Sequence, residues 1–192
     1  MDRTYNALPK LPNQRSIRLI KLHGAANRDD EIYIDLATVS LENPPSYEVL
    51  SYTWGDQIPD QVVYTGGGKL YITKNVQAVM KELRLKPGKS RYLWIDAICI
   101  NQDDIAEKNS QVAMMAEIYK KATRVNIWLG ESNQLSRSIF MSSRLFTLPL
   151  APVLWIERKI LYLDSPTDSR SRKTSFVCDM VHTCFFSASI WT

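Results

Sequence analysis

The sequence predicts an α/β protein in which a mainly parallel sheet is flanked by helices. Short apolar segments rich in β-branched and aromatic residues, typical of buried strands, occupy residues 47–54, 91–100 and 124–129. Helical periodicity appears between them, over residues 75–85 and again after Asp104. Strands that alternate with helices favour βαβ units, whose strands run parallel. With 192 residues, 45% of them hydrophobic, the chain is long enough to bury a core.

A small antiparallel element is predicted near the N-terminus. Residues 16–22 and 31–36 alternate apolar and polar side chains, and a polar segment separates them, so they favour two half-buried strands in a hairpin or meander. Residues 61–64 and 69–73 flank three consecutive glycines, a strong signal for a second hairpin.

Two helices follow from local signals. Residues 75–85 place Val76, Val79 and Leu83 on one face, and the Lys-Pro-Gly sequence that follows ends the helix. Asp104 with Glu107 three residues later predicts a capping box at the start of the second helix. We therefore expect the second helix to begin directly after the predicted strand 91–100.

One carboxylate interrupts that apolar strand. An ionised Asp96 inside a buried strand costs free energy unless it is hydrogen-bonded or lies at a rim. The strand then ends in a polar cluster that includes Asn101 and Gln102. Asp96 is therefore expected either to anchor a neighbouring loop or to contact a ligand, and the residues alone leave both readings open.

A second polar cluster, Ser51-Tyr52-Thr53-Trp54-Gly55-Asp56, closes the strand 47–54. The carboxyl ends of parallel strands are where α/β sheets bind ligands, so Ser51, Thr53 and Asp56 are predicted to stand at that rim. The same spacing also describes a strand end with ordinary turn residues.

Other chemistries are not predicted. The two histidines and three cysteines lack the spacing of a zinc site, and Cys99 is expected to be a small buried residue. The net charge of +4 includes no basic run, so no nucleic-acid partner is expected. No signal peptide or membrane span is expected either, because the longest apolar stretch is short and contains two prolines.

Three separated blocks then resemble a known family. Residues 47–56, Tyr-Glu-Val-Leu-Ser-Tyr-Thr-Trp-Gly-Asp, are similar to the opening motif of the fungal heterokaryon incompatibility (HET) domain. Residues 93–102, Leu-Trp-Ile-Asp-Ala-Ile-Cys-Ile-Asn-Gln, resemble its central block, and Trp-Leu-Gly at 128–130 resembles a third. The resemblance implies that Ser51, Trp54, Asp96, Asn101 and Gln102 shape a functional cleft. The full set of candidate site residues at motif positions is Ser51, Tyr52, Trp54, Gly55, Asp56, Trp94, Asp96, Asn101, Gln102, Glu107 and Gln111.

The resemblance covers residues 14–131, which predicts a short lead (1–13), a HET domain (14–131) and a divergent, partly disordered tail (132–192). It implies a cytoplasmic fungal protein that acts in non-self recognition and regulated cell death by self-association or by binding other incompatibility proteins, without a cofactor. It also implies a fold like that of Toll/interleukin-1 receptor (TIR) domains, of flavodoxin-like type.

Two alternatives accompany that interpretation. Some TIR-like domains hydrolyse NAD through a glutamate, so the resemblance also admits an NAD glycohydrolase with NAD as substrate. No glutamate in a recognisable motif occupies the expected position, which leaves Asp96, Glu107 and Glu131 as weak catalytic candidates. The other alternative is a truncated, inactive copy of the family.

Overall fold

A computed structural model describes residues 8, 10–13, 15–54 and 58–128, together with the backbone of residues 160–164. The described residues form eight strands and three helices. The strands are β1 (Ser16–His23), β2 (Tyr33–Ser40), β3 (Glu48–Tyr52), β4 (Gln61–Thr65), β5 (Gly68–Ile72), β6 (Ser90–Trp94), β7 (Arg124–Trp128) and β8 (Ile160–Asp164). The helices are α1 (Lys74–Leu83), α2 (Asp96–Cys99) and α3 (Ile105–Lys121).

All eight strands join one sheet in the order β5-β4-β2-β1-β6-β3-β7-β8. The β3 strand pairs in parallel with β6 on one side and with β7 on the other. Helical segments precede β6 and β7 along the chain, and such crossovers are what parallel neighbours require. The carboxyl ends of β6, β3 and β7 consequently meet at one edge of the sheet.

The α/β class is confirmed, but the prediction of a mainly parallel sheet is wrong. Of the seven strand pairs among the described residues, four are antiparallel (β1–β2, β1–β6, β4–β5 and β7–β8) and three are parallel. The antiparallel part is not confined to the N-terminus, because β1 inserts between β2 and β6. The β6 and β7 strands, which flank α3 in sequence, are not neighbours, because β3 lies between them.

Local signals located the hairpins and the long helices. Both predicted hairpins form, and in the β4–β5 turn Gly68 adopts a φ of 131°, which side-chain-bearing residues rarely adopt. Helix α1 is capped by Thr73, whose side chain accepts a hydrogen bond from the Val76 N–H. It buries Val76, Val79, Met80 and Leu83, and each such side chain contributes about 1.5–3 kcal/mol when fully buried.

The predicted strand 91–100 is wrong beyond Trp94. The β6 strand ends there, Ile95 precedes the helix, and Asp96 is the first residue of the short helix α2. The carboxylate that looked anomalous in a buried strand thus lies just beyond the strand's end. Cys99 is buried in α2 as predicted, and burial raises the pKa of its thiol to about 12, so it remains protonated.

Candidate functional site

The site begins with a contact between the ends of two parallel strands. Trp54 follows β3, and its indole Nε1 donates a hydrogen bond of 2.9 Å to Asp96 Oδ2, beyond the end of β6. The other carboxylate oxygen, Oδ1, accepts the N–H of Ala97 at 2.8 Å. Both oxygens of Asp96 therefore have donors, while the Trp54 side chain stays 41% exposed. We call this pair the rim contact.

Asn75 ties the rim to a third strand and to α1. Its Nδ2 donates to the carbonyl of Thr53 at 3.0 Å, and its Oδ1 accepts from Trp128 Nε1 at 2.5 Å. Since Thr53 follows β3 and Trp128 ends β7, one amide side chain on the first turn of α1 fixes two strand ends. The segment that carries Trp54 is consequently held on both sides.

Asp96 is a half-buried carboxyl group that is less acidic than an ordinary aspartate. The protein atoms that crowd its carboxyl raise its pKa to about 6, because burial disfavours the charged form. Hydrogen bonds from Trp54 and from the Ala97 N–H oppose that rise without cancelling it. A carboxyl group with this pKa can hold or release a proton near neutral pH, which a general acid requires.

A second polar group, which we call the buried bridge, lies behind the loop that follows α2. Arg18 on β1 is only 2% exposed and donates to both carboxylate oxygens of Glu107 on α3, with Nη2 2.8 Å from Oε2. It also donates to the carbonyl of Cys99 at 3.1 Å. Glu107 Oε1 accepts the N–H of Asn101 at 2.7 Å, so the bridge fixes both ends of the loop.

The charge on Glu107 is stabilised by these partners. Burial by itself raises its pKa, but the hydrogen bonds from Arg18 and Asn101 outweigh burial, and the pKa lies below its usual value. The predicted capping box forms only in part. Asp104 accepts the Glu107 N–H at 3.0 Å as predicted, whereas the Glu107 side chain bonds Arg18 and Asn101.

Gln102 connects the two groups. Its Nε2 donates to the carbonyl of Asp96 at 3.1 Å, so the loop fixed by the buried bridge also contacts the residue of the rim contact. Asn101 Oδ1 accepts the N–H of Asp103 at 3.1 Å and shapes the turn before α3.

The candidate residues therefore occupy three different environments. Trp54, Asp96 and Gln102 meet at the rim, and Asn101 and Glu107 belong to the loop fixed by the bridge. Buried in the scaffold are Ser51, Tyr52, Trp94 and Gln111, of which Gln111 donates to the carbonyl of Ser16 at 2.9 Å. Gly55, Asp56 and Glu131 lie outside the described residues.

Sequence patterns did not predict the contacts that Arg18 and Asn75 make, and they marked Trp128 only as part of a motif block. The alternation of residues 16–22 predicts an exposed side chain at Arg18, but Ser16–Ile20 are all buried. A charged side chain surrounded by Ile17, Leu19 and Ile20 was the available signal, since a buried Arg requires an acidic partner. No local signal marks Asn75, whose partners are distant in sequence.

No group of three or more His, Cys, Asp or Glu side chains within the described residues is arranged to hold a metal ion. Among the helices that the structure describes, none is long and apolar enough to cross a membrane.

Comparison with known proteins identifies the family. The model of the heterokaryon incompatibility protein (HET) family matches residues 47–160, more than half of the chain. The chain is 34% identical over 139 residues to heterokaryon incompatibility protein 6, OR allele, from Neurospora crassa. That match covers 66% of this chain but only 20% of the relative. No solved structure is significantly similar to this chain, so the TIR-like fold remains a prediction. The chain belongs to the heterokaryon incompatibility (HET) family.

Proposed function

We propose that this protein acts in fungal heterokaryon incompatibility, where it triggers regulated cell death when unlike cells fuse. The observation that carries this proposal is the family match over residues 47–160, which includes both residues of the rim contact and Glu107 of the buried bridge. The relative from Neurospora crassa is itself a heterokaryon incompatibility protein. Because the chain spans about a fifth of that relative, the cell-death activity of the longer protein is part of the proposal.

We further propose that the domain signals by association, with a second copy or with another incompatibility protein in the cytoplasm. The satisfied polar groups support this mechanism. Each oxygen of Asp96 and of Glu107 already accepts a hydrogen bond within the protein, so neither carboxylate needs a ligand to satisfy it. Trp54 exposes an aromatic surface at the rim, and exposed tryptophan is a common anchor of protein interfaces.

Inducible expression in a fungal host tests the proposal. We expect the wild-type chain to reduce viability and Trp54→Ala to abolish the effect while the protein stays folded. Tyr71→Ala is the matched control, because Tyr71 is also an exposed aromatic residue but lies on β5, at the opposite edge of the sheet from β7 and β8. Loss of killing in both variants would remove the rim from the mechanism. A wild-type chain that does not kill would support the inactive copy.

The second candidate is an NAD glycohydrolase, which one observation favours. Asp96 is a half-buried carboxyl group with a pKa of about 6 at the carboxyl end of a parallel strand. Cleavage of the bond between nicotinamide and ribose passes through an oxocarbenium-like state that a carboxylate can stabilise. Glu107 is a poorer candidate because Arg18 and Asn101 engage its oxygens.

Cellular NAD distinguishes the two candidates. If the domain hydrolyses NAD, the nucleotide falls before viability does, and Asp96→Asn prevents both changes. Death at constant NAD removes the enzyme and leaves association. A gel-shift assay at moderate salt tests the separate prediction that no nucleic acid is bound, and a stable complex would contradict it.

A further inference from the structure

Helices α1 and α3 differ on the face that points away from the sheet. Helix α1 is amphipathic, with Val76, Val79 and Leu83 buried and Lys74 exposed opposite them. Helix α3 also buries one face, through Met115 and Ile118. Of the eight exposed residues of α3, however, only three are charged, whereas a solvent-exposed helix face is normally rich in charged and polar residues.

Five exposed residues run along that outer face of α3: Ala106, Asn109, Ala113, Ala116 and Lys120. We call them the α3 seam. Their spacing alternates 3, 4, 3 and 4, which is the spacing of the contact positions in a two-helix coiled coil. Three of the five are alanines, whose small side chains allow two helices to approach closely. Ile105, adjacent to the seam, is 74% exposed.

The charges at the two ends of α3 are complementary to each other. Asp103 and Asp104 precede the helix and are exposed, and Lys120 and Lys121 end it. Two copies of α3 side by side in parallel would place acid against acid and lysine against lysine. In an antiparallel pair each acidic end meets the basic end of the other copy, and the helix dipoles also oppose each other favourably.

Charges near the middle of α3 also favour the antiparallel orientation. A two-fold axis close to Ala113 places Lys108 near position 117 of the second copy, which is a glutamate. Glu117 is half-buried and already contacts Arg15 and Lys121 of its own chain, so this pair adds selectivity more than affinity. The antiparallel orientation therefore brings opposite charges together both at the ends of α3 and near its centre, whereas the parallel orientation brings like charges together at the ends.

We infer that the α3 seam is an interaction surface for a second copy of this chain, paired antiparallel about a two-fold axis near Ala113. This inference rests on the proposed function and specifies the self-association within it. A single helix pair buries a small area, so the complex is weak and forms when the local concentration of the protein rises. A two-fold pair of this kind is also closed, and it stops at the dimer.

Sedimentation equilibrium of the full chain tests the pair without any cell-death readout. We expect a concentration-dependent dimer for wild type and a monomer for Ala113→Arg, which places a large cation on the axis. Tyr71→Arg is the matched control, because it adds the same charge at an exposed site on β5 and leaves the dimer intact. Circular dichroism and the melting temperature establish that both variants fold.

A charge swap tests the orientation. Asp103→Lys and Lys120→Glu should each weaken the dimer about tenfold or more, since each places like charges together, and the double variant should restore most of the affinity. Asp103 uses only its backbone N–H to bond Asn101, so its substitution leaves that turn intact. A double variant no better than the singles would overturn the antiparallel arrangement.

The self-pair and the cell-death function fail in different experiments. A wild-type chain that stays monomeric overturns the inference, even if Ala113→Arg still abolishes killing, because the seam would then bind a different protein. A dimer that Ala113→Arg does not disrupt overturns the seam as its location. A variant that is monomeric in solution yet kills like wild type overturns the seam as the death-signalling interface while leaving heterokaryon incompatibility intact.

Discussion

The buried bridge and the rim contact are both built around one acidic side chain, yet burial has opposite consequences in the two places. Glu107 faces a buried arginine and a backbone N–H, and these donors keep its pKa low. Asp96 faces an indole and one backbone N–H, and its pKa rises to about 6. The difference is a fixed positive charge, which the bridge has and the rim lacks. Glu107 in the bridge is therefore suited to a structural role, whereas Asp96 at the rim is suited to gain and lose a proton.

The largest expected effect comes from breaking the bridge. Glu107→Gln keeps an acceptor for the Asn101 N–H but replaces the carboxylate that faces the buried Arg18 with a neutral amide, and loss of one charge from a buried ion pair costs about 3–5 kcal/mol. Urea unfolding at pH 7 measures the loss. Glu117→Gln on the same helix removes the partly exposed ion pairs with Arg15 and Lys121 and should leave stability near that of wild type.

Removal of both charges separates the bridge's energy from its geometry. Arg18→Met with Glu107→Leu should recover most of the stability lost in the single variant, because hydrophobic replacement of a buried ion pair is often close to neutral. If the double variant is as unstable as Glu107→Gln, the hydrogen bonds to Cys99 and Asn101 dominate the loss of stability, and the loss of the carboxylate charge beside Arg18 does not.

The pH dependence at the rim should come next in size. The folded-state pKa of Asp96, about 6, exceeds its unfolded value of 3.8, so the folded protein binds the proton more tightly. Stability contributed by this group therefore increases as the pH falls through 6, is complete below about 4, and amounts to about 1–3 kcal/mol.

Asp96→Asn removes the titrating carboxyl group and so isolates its pH-dependent contribution to stability. The difference in unfolding free energy between wild type and the variant, measured from pH 4 to pH 8, should shift in favour of wild type as the pH falls. Glu107 gives the opposite sign, because its lowered pKa adds stability that is lost as acid protonates it. A difference that is flat across the range would show that the Asp96 carboxyl is solvated like an exposed one.

The helix cap between the two regions should have a smaller effect. Asp104→Ala removes the acceptor of the Glu107 N–H and should cost about 1 kcal/mol. Thr73→Ala, which removes the corresponding cap of α1, is the matched comparison. A markedly larger loss at Asp104, measured by thermal unfolding, would show that the cap also positions Glu107 for the bridge.

These regions also show what the sequence can and cannot reveal. The start of α3 at Asp104 and both hairpins follow from residues within a few positions of one another, so they were predictable. Arg18 and Glu107 are 89 residues apart, and their pairing depends on β1 lying beside β6. Strand order is equally non-local, which is why the alternation of helices and strands over residues 75–130 overstated the parallel character of the sheet. Trp54 and Asp96 were both identified as motif residues, but their contact was not predicted. The end of β6 at Trp94 was not predictable either, because the apolar sequence continues beyond it.

The smallest expected effect tests the rim contact alone. Trp54→Phe keeps an aromatic surface but removes the N–H that donates to Asp96, so stability at pH 7 should fall by about 1 kcal/mol or less. The more informative result is the titration of Asp96. Because the indole donor lowers its pKa, loss of that donor should raise the pKa above the wild-type value, in a direction that Tyr71→Phe on β5 does not reproduce. Carboxyl NMR titration measures both variants. An unchanged Asp96 pKa in Trp54→Phe would mean that water donates to Asp96 as well as the indole does. A ligand could then replace the indole at the rim, whereas the buried bridge offers no such exchange.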